Sequence, residues 1–127
     1  MSAREQVSPA GLDASRQEYD EKENLTAEKE LRNGQPHGTW KFFFEGGKIV
    51  RTRETYANGK LEGARYTYFP DGKIQKEEMY KFNLLNGTVK TYYEGGATES
   101  ITEYRSGRKH GVFTSYYSNG KLKEHGE

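Results

Sequence analysis

The chain has 127 residues, a formal net charge of +1, no cysteine and a mean hydropathy of −1.11, a length that suits one domain. Leu, Ile, Val and Phe make up only about 16% of it, whereas there are 10 Tyr, 6 Phe and 1 Trp. That balance excludes a thick aliphatic core, and it is too aromatic for a disordered chain. The lack of any run of about 18 apolar residues excludes a transmembrane helix. The lack of cysteine excludes disulfides, zinc–thiolate sites and a Cys nucleophile.

In chain order, the first residues, MSAREQVSPAGLD, lack the apolar stretch of a signal peptide, so the chain reads as cytoplasmic. Residues 1–12 are expected to be unstructured. Residues 13–22 read as a short acidic helix or as part of a decayed repeat. This makes 1–23 an acidic N-terminal segment, partly disordered or a short helix, and 24–127 a repeat domain. Residues 24–32 are expected to add one edge strand. Residues 1–31 carry a net charge of −4 and the remainder +5, with signs interspersed along the chain. That is too weak for a nucleic-acid footprint.

From residue 32 on, the chain repeats itself. Gly38, Gly63, Gly87 and Gly111 are spaced by 25, 24 and 24 residues, and nine residues after each comes Gly47, Gly72, Gly96 or Gly120. Four residues before them lie Gly34, Gly59, Asn83 and Gly107. Aromatic pairs keep the same phase: Phe43-Phe44, Tyr68-Phe69, Tyr92-Tyr93 and Tyr116-Tyr117. The Thr-, Tyr- and Phe-rich segments suit strands. The dipeptides Gly46-Gly47, Asp71-Gly72, Gly95-Gly96 and Asn119-Gly120 suit two-residue hairpin turns. Looser Gly/Asn loops then lead from one unit to the next. The expected architecture is all-β: an elongated, single-layer antiparallel meander of about four tandem hairpins with a short N-terminal extension. At about 4.8 Å per strand, eight strands extend roughly 35–40 Å.

A two-residue turn at Asp71-Gly72 pairs Phe69 with Ile74, and likewise Phe44 with Ile49, Tyr93 with Thr98 and Tyr117 with Leu122. Alternation adds Trp40, Val89, Phe113, Tyr80 and Tyr104 to that face, which is taken as the core side. Arg65 breaks its pattern. An extra residue before Tyr56 predicts a β-bulge between Ile49 and Tyr56. The opposite face should be polar, yet it carries the ladder Phe43, Tyr68, Tyr92 and Tyr116, with Tyr66, Lys41 and Lys90 nearby. Cross-strand packing accounts for such a ladder, and so does a partner-binding surface, for which Tyr is well suited.

The unit best seen in Ser106-Gly…His110-Gly-Val-Phe-Thr-Ser-Tyr-Tyr-Ser-Asn-Gly-Lys-Leu122 resembles the bacterial MORN-type repeat found in YwqK-like antitoxins. The resemblance covers residues 32–127. It implies a curved single-layer β-meander without catalytic apparatus, a role in scaffolding, protein binding or membrane-lipid binding, and, from the antitoxin label, a toxin as partner. The acidic N-terminal segment and the apolar Asn83-Leu-Leu-Asn-Gly87 loop depart from the family pattern.

No catalytic set stands out. His37 and His110 occupy equivalent loop positions about 29 Å apart, too far to share a metal, and they read as turn residues. Glu62, Glu77, Glu78 and Glu99 read as solvated positions. The run 18-EYDEKE-23 reads as a solvated segment, or else as a mimic of a basic site or a cover for its own sheet. The sequence therefore points to a non-enzymatic binding module with no cofactor or metal, no nucleic acid, and another protein, such as a toxin, as partner. The alternative is a membrane- or lipid-proximal scaffold, and self-association through the sheet edges is a further option. The candidate partner-binding residues are Phe43, Tyr66, Tyr68, Tyr92, Tyr116, Lys41 and Lys90.

Overall fold

A computed structural model describes residues 2–7 and 13–127. The strands are β1 (Ser2–Val7), β2 (Asp13–Tyr19), β3 (Leu25–Arg32), β4 (Gln35–Phe43), β5 (Val50–Ala57), β6 (Lys60–Leu61), β7 (Gly63–Tyr68), β8 (Ile74–Lys81), β9 (Leu84–Leu85), β10 (Gly87–Tyr92), β11 (Thr98–Arg105), β12 (Arg108–Tyr116) and β13 (Leu122–Gly126). They form one antiparallel sheet in the order β1-β2-β3-β4-β5-β7-β8-β10-β11-β12-β13, with β6 on β5 and β9 on β8. The described residues contain no helix. The all-β hairpin meander expected from the repeat is therefore the observed fold.

Two kinds of turn alternate along it. At one edge, Asn33-Gly34, Asn58-Gly59, Phe82-Asn83 and Ser106-Gly107 each hold positive φ at both central residues. They connect Arg32↔Gln35, Ala57↔Lys60, Lys81↔Leu84 and Arg105↔Arg108, and are type I′ turns. At the other edge, the Phe69 and Gly72 N–H groups bond to the Lys73 and Phe69 carbonyls, enclosing the three residues Pro70-Asp71-Gly72. Only Gly72 has positive φ there (+91°), as expected of a type I turn closed by a left-handed residue. The same arrangement recurs at Tyr93–Ala97 and Tyr117–Lys121, and with one more residue at Phe44–Ile49. The expected two-residue turns are thus corrected to three-residue loops, and the supposedly looser loops are the tight ones.

The register in the body of each hairpin is nevertheless the expected one, because a second offset cancels the first. Tyr68 pairs with Ile74, but Thr67 pairs with Lys76, leaving Gln75 bulged. Equivalent bulges fall at Arg51, Glu99 and Lys123. The bulge expected after Ile49 is present at Arg51, but it belongs to every unit. The extra residue of the first unit sits in its loop.

Of the two readings of residues 13–22, the decayed repeat is the one observed: residues 13–19 are strand, not helix. Residues 2–7 are corrected from unstructured to strand; residues 1 and 8–12 lie outside the described residues. The reason is that β2 and β3 form one more unit. Tyr19 pairs with Leu25, Thr26 bulges, and the Asp20 and Glu23 N–H groups bond to Asn24 and Asp20 carbonyls as in the later loops. Asp20 Oδ1 also accepts the Lys22 and Asn24 N–H groups at 2.9 Å. β3, the expected edge strand, is paired on both sides.

One face of the sheet holds every buried side chain among the described residues: Ala27, Glu54, Glu78, Val89 and Ser115. Trp40, Tyr56, Arg65 and Tyr80 share it by register. This is the expected core side, but its turn-proximal end is open. Ile74, Thr98 and Leu122, assigned to the core opposite Phe69, Tyr93 and Tyr117, pair instead with Tyr68, Tyr92 and Tyr116 of the other face, because the longer loop shifts the turn-proximal register; Tyr117, Leu122 and Ile49 are exposed. Among the described residues nothing packs across the sheet, which leaves the ends of its strands wet, so burial concentrates in the middle rows.

Candidate binding faces

On the opposite face, the cross-strand row Glu28–Lys41–Arg53–Tyr66–Glu77–Lys90–Ile101 is continuous. Phe43, Tyr68, Tyr92 and Tyr116 lie two residues further along their strands, opposite Val50, Ile74, Thr98 and Leu122. Alternation therefore gathers all seven sequence-predicted residues on one side, each of them half-buried. Hairpin spacing separates successive ladder rings by about 9.6 Å. On this face Tyr66 and Tyr68 are in ring contact, at 6.4 Å between centroids. The Arg53 guanidinium lies 5.1 Å from the Tyr66 ring centroid. Burial raises the pKa of the Tyr92 hydroxyl, and the neighbouring Glu77 carboxylate raises it further. The rings are thus spaced by aliphatic and β-branched residues and held by charged ones, giving a flat amphipathic surface.

The core face contains a cluster that sequence reasoning missed. Arg65 Nε donates to Glu78 Oε1 at 3.0 Å and its Nη2 to Glu78 Oε2 at 3.3 Å, while Nη1 reaches Glu54 Oε2 at 3.3 Å. Tyr56 and Tyr80 donate their hydroxyls to Glu54 and Glu78 at 3.1 and 3.0 Å. Burial first, and then the adjacent carboxylate, pushes both phenols up to about 12, against the pull of Arg65. The Trp40 ring packs tilted by 48° against Tyr56, with centroids 5.0 Å apart, and Lys29 Nζ lies 4.9 Å over Trp40. Glu78, read from sequence as solvated, is only 4% exposed, because the Arg65 fork and the Tyr80 hydroxyl satisfy it. Glu62 is also engaged, accepting the Phe82 N–H at 2.9 Å. The available signal was the repeat phase: Glu54 and Glu78 are 24 residues apart, each two before a phased tyrosine.

The tight turns are tied to one another by a second ladder. Pro36, Leu61 and Leu85 carbonyls accept the N–H of Gly59, Asn83 and Gly107 in the next unit. One residue on, the side chains of His37, Glu62 and Asn86 accept the N–H of Asn58, Phe82 and Ser106. His37 is therefore a turn cap, whereas His110 at the equivalent position is exposed. His125 pairs with the Thr114 hydroxyl at 3.0 Å. Among the described residues, no three His, Asp or Glu side chains converge as a metal site, and no helix is long and apolar enough to cross a membrane.

A family model described as a MORN repeat variant matches residues 36–58, 61–82, 85–106 and 109–127. Each match begins just after a tight turn and runs through one of the longer loops, of four residues in the first unit and three in the others, so the family unit coincides with the structural one. No curated protein matches the chain.

Proposed function

The chain belongs to the MORN repeat variant family, and from that premise we propose that it is a non-catalytic module that holds a partner protein on the face carrying Phe43, Tyr66, Tyr68, Tyr92, Tyr116, Lys41 and Lys90. Repeats of this family are generally protein- or membrane-binding modules. The observation that carries this reading is the ladder itself, whose rings are half-buried, unstacked along the sheet and interleaved with Arg53, Glu77 and Lys90. Such a surface offers rigid aromatic area at little entropic cost, and single-layer repeats leave an extended face free for a ligand. In its sharpest form the proposal is a cytoplasmic antitoxin or immunity protein that occludes a toxin by direct binding.

Affinity capture with the tagged chain tests the reading. A Tyr68→Ala/Tyr92→Ala/Tyr116→Ala variant should fold and lose the captured partner. Retention of every partner at undiminished affinity would refute the face assignment. Co-expression with the product of an adjacent reading frame tests the sharper form: rescue from growth arrest by the native chain and not by the variant is the expected result.

A further inference from the structure

Folding sorts the interspersed charges of this chain onto two edges. The tight-turn edge, made of residues 32–37, 57–62, 81–86 and 105–110, carries Arg32, Lys60, Lys81, Arg105, Arg108 and Lys109 against the single carboxylate Glu62, a net of +5. The loop edge, made of residues 19–25, 44–49, 69–73, 93–97 and 117–121, carries four lysines against six carboxylates, a net of −2. All six cations of the tight-turn edge are exposed. Lys60, Lys81, Arg105, Arg108 and Lys109 make no ion pair among the described residues.

An apolar tip projects from the middle of this cationic row. Phe82 is 61% exposed and Leu84 48% exposed. Phe82 takes φ +49° at a turn position filled by Asn33, Asn58 and Ser106 in the other units. A bulky residue in that conformation is strained, which marks a position kept for something other than stability. Its N–H is held by the Glu62 carboxylate and the N–H of the next residue, Asn83, by the Leu61 carbonyl of the preceding unit, and Lys60 Nζ lies 5.6 Å over its ring. The ring is thus presented, not collapsed onto the sheet.

We propose that this edge is a second interaction surface, distinct from the aromatic face, and that it docks an extended acidic segment of a protein partner, with Phe82 as its apolar anchor. The charge complementarity is direct. The geometry favours a strand-like chain over a lipid plane: the cations follow one line, and three of the four turn tips are polar. One apolar tip is too little for stable insertion in a bilayer. Tight turns recur every second strand, about 9.6 Å apart. An extended polyproline-type chain advances about 9.3 Å every three residues, so an acidic side chain at every third position meets a cation at each turn.

The test uses the full chain and a fluorescein-labelled peptide of four Pro-Leu-Glu triplets, read by anisotropy, alongside vesicles containing about 30% phosphatidylserine. The native chain should bind the peptide, and about 0.5 M salt should abolish the binding. Lys60→Glu/Lys81→Glu/Arg108→Glu should weaken it about tenfold or more, by turning three attractive contacts repulsive. Lys48→Glu/Lys73→Glu/Lys121→Glu makes the same change in net charge on the opposite edge and should leave binding within about twofold if the effect is local. Phe82→Asn should weaken binding while raising the melting temperature, which separates anchoring from folding. Equal losses from the two triple variants, an undiminished affinity of Phe82→Asn, no peptide binding at low salt, or capture by vesicles without capture of the peptide would each overturn the proposal. The Tyr68→Ala/Tyr92→Ala/Tyr116→Ala variant should bind the peptide normally, so failure of the aromatic-face reading leaves this one intact.

Discussion

Replacing Arg65 by Met tests whether the middle of the sheet is held by charge. Met keeps most of the aliphatic length and removes the guanidinium. Three hydrogen bonds are lost, and two carboxylates remain in place with side chains only 5% (Glu78) and 12% (Glu54) exposed. Removing one partner of a buried ion pair costs about 3–5 kcal/mol. Two features lower that figure. The Arg65 side chain is itself 29% exposed, and Lys76 Nζ remains 3.7 Å from Glu78. The expected loss is therefore about 2–4 kcal/mol, a large part of a typical domain's stability. Urea unfolding followed by tryptophan and tyrosine fluorescence measures it as a fall in midpoint at unchanged slope. The pH dependence adds a check of sign. Without the cation, burial disfavours the ionised carboxylates, so the folded variant binds protons at a pH where the unfolded chain has released them. Stability then rises as pH falls, and the deficit of the variant should shrink between about pH 7 and pH 4.5. Adding Glu54→Gln and Glu78→Gln should restore most of the loss at neutral pH. A deficit below about 0.5 kcal/mol, or one identical at both pH values, would refute a charge-held core.

Three further outcomes follow from the geometry. A Cβ at Gly47 would lie 2.7 Å from the Leu25 backbone nitrogen, whereas one at Gly72 meets nothing within 4 Å, both at positive φ. In denaturant melts, Gly72→Ala should cost about 1–2 kcal/mol from conformation alone and Gly47→Ala clearly more, since backbone must move; equal costs would contradict the close approach. Ultraviolet titration of the phenols should find two of the ten tyrosines ionising last, as Tyr56 and Tyr80 are pushed up to about 12 from 10.0. Because the unfolded chain releases those protons near pH 10 while the native state keeps them, their stabilising contribution is complete below pH 10 and is lost as pH rises toward 12. Phe82→Asn should stabilise the chain by about 1 kcal/mol, measured by thermal melting, because Asn tolerates the left-handed conformation that Phe resists.

The repeat phase was legible because Gly38, Gly63, Gly87 and Gly111 all hold φ between +82° and +120°, a requirement that leaves its mark on the chain. Turn type was less legible. An Asp-Gly or Asn-Gly pair serves both a two-residue turn and the end of a three-residue loop, and only the backbone bonds of Phe69 and Gly72 distinguish them. The face assignment survived that error because the bulge at Gln75 restores the parity that the longer loop removes. The N-terminal unit was legible only as a decayed repeat, for the same kind of reason. Its loop has Glu23 at φ +64° where later units have glycine, and Asp20 where they have an aromatic residue, so an acidic run masks a turn.

The charged core and the cationic edge escaped for a deeper reason. Read along the chain, Lys and Glu alternate and cancel. A strand pair repeating every 24 residues acts as a filter on that series, because residues of equal phase meet in space. Arg65 falls at the phase of Trp40, Val89 and Phe113, so by position it lies in the middle of the sheet. There Glu54 and Glu78, themselves in phase, flank it. Lys60, Lys81 and Arg108 flank successive tight turns, while in the loops at the other edge Glu45, Asp71 and Glu94 are balanced by Lys48, Lys73 and Lys121. For a sheet of this kind the electrostatic character belongs to each phase of the repeat and not to each stretch of sequence. A near-zero net charge is therefore compatible with one edge of the repeats being strongly basic.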